Sequence, residues 1–147
     1  MEELVLTIVA VLGIFIALKF KGFFHKIISI GLAISFLLVW TDSQYIITGS
    51  FIALILLTII TFIYGLMIKE VDIFEKVSIS IMGLFLAVSS ISKLLHLSGV
   101  GVIKLSMAIP IIITLITFIR GKQLTKEMSF MIFWLFYAAL EFLRLWI

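Results

Sequence analysis

Cysteine is absent from this chain, which excludes disulfides, thiolate catalysis and Cys-based metal or iron–sulfur centres together. Histidine occurs only as His25 and His96. The apolar pattern puts them on opposite sides of a membrane, so no metal site can be assembled from imidazoles. Charge is equally scarce: 13% of the 147 residues are Asp, Glu, Lys or Arg, against 64% hydrophobic residues. A soluble fold of this size would have too few polar side chains to cover its surface. No basic run with interleaved aromatics stands outside the apolar segments, so nucleic acid is not an expected partner. The single proline, Pro110, falls inside an apolar run and predicts a kink there that serves packing or gating.

What is present is hydrocarbon punctuated by charge, with a mean hydropathy of +1.39. Six apolar runs can be read: Leu4 to Leu18, Ile27 to Trp40, Tyr45 to Ile68, Val77 to about Leu95, Val102 to Ile119, and Met128 to Ile147. They predict an all-α polytopic transmembrane bundle of about six spans forming one integral membrane domain over residues 1–147. The first two runs are short and reach across only if Lys19, Lys21 and Lys26 snorkel to the interface. Eight basic residues (Lys19, Lys21, Lys26, Lys69, Lys76, Arg120, Lys122 and Lys126) fall in the odd-numbered loops, and three (Lys93, Lys104 and Arg144) on the other side. That asymmetry places the odd loops in the cytoplasm and both termini outside, in a cell membrane of bacterial inner-membrane type. The acidic start Met1-Glu2-Glu3 agrees, and without a basic n-region the first run reads as a retained span.

Part of the chain resembles another part of it. The stretch TIITFIYG (58–65) recurs as TLITFIRG (114–121), and at the same offset of 56 Leu38 meets Leu94, Ile47 meets Ile103 and Ser50 meets Ser106. This suggests that spans two and three are duplicated as spans four and five. Matches of Ile, Leu and Phe recur in any membrane protein, so the T-x-x-T-F-I-x-G match carries the reading.

Residues 92–101, SKLLHLSGVG, place Lys93 and His96 one helical turn apart. The stretch resembles the K-x-x-H-W-P-G-A turn of the transmembrane hairpin in the membrane subunit of the gliding-motility motor, a pattern also similar to turns of small membrane proteins from the same bacterial group. Lys93, His96, Gly99 and Gly101 carry the match, while Leu97 and Ser98 stand where that pattern has Trp and Pro. The resemblance implies a membrane hairpin. In that motor subunit a Glu in the helix after the turn is implicated in ion coupling. Here Val102 to Ile119 contains no acid, so motor function does not carry over.

Depth sorts the polar residues inside the spans, where an ionisable group is costly. Lys93 lies about 25 Å from Lys76 along a helix and can snorkel outward, as can Arg144. Glu141, about 21 Å from Glu127, cannot reach so far. It needs a partner, with Arg144 at i+3 preferred and Lys93 as a third member. Lys93, His96, Glu141 and Arg144 are therefore the candidate polar cluster. On span four, Ser78, Ser89, Ser92 and His96 share one helical face, which reads as a packing stripe or as a water-lined path. Thr58, Thr61, Thr114 and Thr117 read as back-bonded or packed, and Gly31-x-x-x-Ser35 as a close helix contact. His96 itself reads as a boundary residue.

Two function classes follow. The first is a structural or interaction subunit of a membrane complex, whose partners are lipid, other membrane proteins or a second copy. The second is a small transporter or channel using the Ser78/Ser89/Ser92/His96 face and Glu141; midplane sites typical of transporters are not evident. No cofactor is implied. An enzyme is not expected, because no nucleophile and base or metal-ligand set falls at one depth.

Overall fold

The computed structural model describes residues 1–41, 43–121 and 123–146. Regular structure among them is entirely helical: α1 (Glu2–Lys19), α2 (Phe24–Val39), α3 (Gln44–Met67), α4 (Ile73–Leu94), α5 (Val100–Ser106), α6 (Ala108–Gly121) and α7 (Met128–Leu143). Three stretches are long and apolar enough to cross a membrane: Gln44–Met67, Ile73–Leu94, and the 22 residues Val100–Gly121 that α5 and α6 make together. The other three helices fall short of the six-span expectation by length or charge. α2 and α7 have 16 residues each, below the roughly 20 that a ~30 Å hydrocarbon core requires. α1 has 18 but includes Glu2, Glu3 and Lys19.

Two boundaries differ from the apolar runs for identifiable reasons. α4 starts at Ile73, ahead of Val77, because the Asp72 carboxylate caps it, accepting from the Ile73 amide at 2.8 Å. Hydropathy alone does not register a first turn in which Glu75 and Lys76 follow Ile73 and Phe74. The break between α5 and α6 lies at Met107, and Pro110 accounts for it. Proline has no N–H to give the carbonyl four residues back, and its ring crowds that carbonyl. That residue is Ser106, where α5 ends.

Successive helices alternate in direction, with α5 and α6 running on as one rod. The α1–α2, α3–α4 and α6–α7 loops gather at one end, where the Phe24 ring lies 5.9 Å from that of Tyr64 and Lys126 reaches Glu70 at 3.3 Å. At the other end the Trp40 indole donates to Thr7 at 3.2 Å, and Arg144 meets Glu2. The last helix occupies the middle: α7 packs on α1, α2, α4, α5 and α6. Its Phe130, Phe133, Trp134 and Ala138 are fully enclosed with Ile28 and Leu32 of α2 and Ile79, Met82 and Leu86 of α4. The Phe36 and Phe133 rings meet edge to face, 4.9 Å apart. α5 buries none of its residues and α6 buries only Pro110 and Thr114, so this rod lies on the periphery.

Small residues set the tightest contacts, as expected where helices associate by close packing. A Cβ on Gly83 would sit 2.5 Å from the Phe62 amide nitrogen, so α3 and α4 touch backbone to backbone there. Gly31 packs on the Leu57 side chain and Ser35 is buried, which makes Gly31-x-x-x-Ser35 a contact between helices. The matched positions of the internal repeat share a backbone habit but not an environment. The Thr61 and Thr117 hydroxyls each donate to the carbonyl four residues back, at 2.8 Å. Gly65 abuts Ser80, whereas Gly121 faces open space.

Candidate functional site

The end of the bundle that holds the termini carries a buried carboxylate. Glu141 lies in the last turn of α7, and its side chain is 2% exposed. Arg144, one turn on, donates from Nη1 to Glu141 Oε1 at 3.0 Å. Lys93, in the last turn of α4, places its ammonium against Oε2 of the same carboxylate. Arg144 then continues to Glu2 of α1, donating from Nε and Nη2 to one carboxylate oxygen at 3.0 and 2.5 Å. Positive and negative groups thus alternate as Lys93, Glu141, Arg144 and Glu2, joining three helices. Three of the four also suit their helix ends, the cations at C-termini and Glu2 at an N-terminus.

Beside this chain of charges is a cavity of about 330 Å³. Its charged wall is Lys93, Glu141, Arg144, Glu2 and Glu3, and its apolar wall is formed by Leu6, Phe36, Phe51, Leu54 and Tyr137. Five helices contribute to it.

Of the sequence-predicted cluster, Lys93, Glu141 and Arg144 come together and His96 does not. His96 is exposed, with φ +50°. The Leu97 amide donates to the Ser92 carbonyl at 3.0 Å and the His96 amide to that of Lys93 at 3.2 Å. These are the two bonds of a Schellman cap, with His96 as its left-handed residue. Its backbone ends α4, and Gly99, at φ +91°, opens α5. The serine face divides as well. Ser78, Ser89 and Ser92 are buried, but Met82 and Leu86, on the same face between Ser78 and Ser89, have no exposure at all. Ser78 bonds across to Thr114 of α6 at 2.9 Å, tying α4 to the peripheral rod.

The opposite end holds a second polar group. Glu127, directly before α7, is 2% exposed and accepts from the Tyr64 hydroxyl at 3.1 Å. Thr125 donates to Glu75 at 2.9 Å, Lys126 bridges Glu70, and the Arg120 guanidinium lies 4.0 Å over the Phe74 ring. Among the described residues, no group of three or more His, Cys, Asp or Glu is placed to hold a metal ion.

No protein family, curated protein or solved structure matches this chain. Its own geometry therefore has to carry the functional reading.

Sequence reasoning misses three of the participants. Glu2 carries no local sign of its partner, which is 142 residues away. Glu127 reads as a boundary residue because an acid just ahead of an apolar run also suits a helix N-terminus. The Trp134 indole donates to Thr61 at 3.0 Å in the centre of the bundle, and the Thr61 hydroxyl donates its own hydrogen bond to the Leu57 carbonyl. Helical periodicity marks both residues as inward-facing but not as partners. His25 is buried and donates from Nε2 to the Ala17 carbonyl at 3.1 Å, so it fastens the α1–α2 turn.

Proposed function

We propose that this chain is a six-span integral membrane protein acting as a structural or interaction subunit of a membrane complex, with both termini on the non-cytoplasmic face. The observation that supports it best is the filled midsection. Among the described residues, Trp134, Phe130, Phe133, Met82, Leu86, Ile79, Ile28 and Leu32 fill the space between the two end clusters; the Trp134, Thr61, Thr58 and Ser29 groups buried there bond to one another, to Ser129 or to helix carbonyls, and Ser89 is an isolated hydroxyl. A conduit would require ionisable or hydrated groups at that depth. The three shorter helices can span by snorkelling of Lys19 and Lys26 and by local thinning of the bilayer. The peripheral α5–α6 rod, little buried within the chain, is the element most available to another membrane protein or a second copy. The likeness of residues 92–101 to the motor-subunit hairpin then lies in chain reversal: Lys93 in the last turn, His96 as the left-handed cap and Gly99 as the restart.

A transporter is the second reading, favoured by one feature: the 330 Å³ cavity with buried Glu141 in its wall. Purification of the tagged chain in mild detergent separates the two. A stoichiometric membrane partner, with no proton or solute flux in liposomes, is the expected result. A homogeneous monomer or homodimer that supports flux abolished by Glu141→Gln would overturn the subunit reading. A reporter fused after the last residue should report the non-cytoplasmic side.

A further inference from the structure

Two cavities at the basic end of the bundle share a wall. The first is an apolar groove of about 390 Å³ on the outer surface of α3, lined by Phe24, Ile60, Ile63, Tyr64, Met67 and Ile68. From Ile60 to Met67 it follows about 10 Å of helix. The second, about 290 Å³, continues from it past Phe24, Tyr64, Met67 and Ile68 to Lys69, Glu70 and Lys126. The Tyr64 hydroxyl bonds to Glu127, so its ring lines the groove without a free polar tip. Ile63, Met67 and Phe24 are 46%, 70% and 59% exposed, and none of the described residues fills the groove. Hydrocarbon along the membrane thus ends against cations at the level of the interface.

We propose that the groove and its mouth bind an anionic phospholipid, one acyl chain lying along Ile60, Ile63 and Met67 and the phosphate meeting Lys69 and Lys126. Charge complementarity selects that occupant. At the mouth Lys69 and Lys126 stand with Glu70, and Glu127 lies 3.9 Å behind Lys126; Lys19, Lys21, Lys26, Lys76 and Arg120 on the same end, against Asp72 and Glu75, leave that end of the bundle basic. Basic pockets between helices on the cytoplasmic side attract anionic headgroups in this way. Glu70, 3.3 Å from Lys126, is 82% exposed and can swing into water, while Glu127 stays bonded to Tyr64. A partner helix seated in the groove would need the apolar wall and not the lysines.

The test uses the full chain purified in mild detergent, followed by native mass spectrometry and thermal unfolding with added phosphatidylglycerol or phosphatidylcholine. Phosphatidylglycerol should remain bound and raise the unfolding midpoint, and phosphatidylcholine should do neither. Lys69→Gln with Lys126→Gln should weaken phosphatidylglycerol binding roughly tenfold or more. Ile63→Trp, which fills the groove from a lipid-facing position, should abolish the bound adduct while leaving the lipid-free midpoint unchanged. Inorganic phosphate alone should not shift the midpoint. Equal binding of the two lipids, undiminished affinity in the lysine double variant, retention of the adduct by Ile63→Trp, or reproduction of the shift by phosphate alone would each overturn the proposal.

Discussion

Lys93, at the end of α4, reaches the carboxylate of Glu141 on α7 from the side opposite Arg144, so each oxygen of one buried acid has its own cation. The two cations differ in solvation: the Lys93 side chain is 24% exposed and that of Arg144 47%. Lys93→Gln should therefore lower stability more than Arg144→Gln. Stripping a buried charge of its partner costs about 3–5 kcal/mol; either variant leaves Glu141 one cation, so both losses should fall below that, with the more exposed Arg144 contributing less. Adding Glu141→Gln to Lys93→Gln should recover part of the loss, because no carboxylate oxygen is then left without its cation. Unfolding midpoints in detergent check both, and a double variant no better than Lys93→Gln alone would remove the pair from the account.

His96 offers the opposite kind of test, since its backbone does the work. Replacing it with glycine should stabilise the protein by up to about 1 kcal/mol, because glycine accepts the left-handed conformation without a Cβ penalty. His96→Val should destabilise by more than that, as a β-branched residue is worst there. Both should leave any partner binding unchanged. A large loss of binding by a well-folded His96→Gly protein would restore the imidazole as a functional group.

In the centre, Thr61→Val should leave the Trp134 indole N–H unpaired in a dry environment, at a cost of about 1–3 kcal/mol. Trp134→Phe removes the donor, so in the Thr61→Val background it should cost much less than in the wild type. A double-mutant cycle on thermal midpoints measures this coupling directly.

Glycine-to-alanine substitutions should have opposite signs at two helical positions. At Gly49, where an added Cβ meets nothing, alanine should stabilise by up to about 1 kcal/mol through helix propensity. At Gly83 the new methyl would enter the Phe62 backbone and should push α3 from α4, lowering the midpoint and the yield of folded protein.

The helical class was legible because charged segments interrupt the apolar runs, and Glu141 stood out because its short side chain cannot climb from its depth to water. Its two partners were legible from the same depth reckoning. Glu2 was not, since nothing local couples the first turn of α1 to the last of α7. His96 had the residue type of a site and the backbone of a cap, and only φ separates those meanings. Pro110 correctly announced an interruption, which falls one turn earlier, at the carbonyl its ring displaces. Glu127 and Tyr64 remained invisible because each suits a helix end or an interface without the other.

The joining of Glu2 to Arg144 also says something about time. A ribosome delivers α1 before α7, yet α7 is the helix around which α1, α2 and α4 close. Until α7 is made, Gly13 has no Ser129 carbonyl to rest against, and Ser29 has no Ser129 hydroxyl to bond. The earlier helices therefore form a partial ring with an open seam until α7 is in place. A chain that stops short of α7 leaves that seam open and Glu2 and Lys93 without Arg144 and Glu141. The seventh helix closes what the earlier ones leave apart.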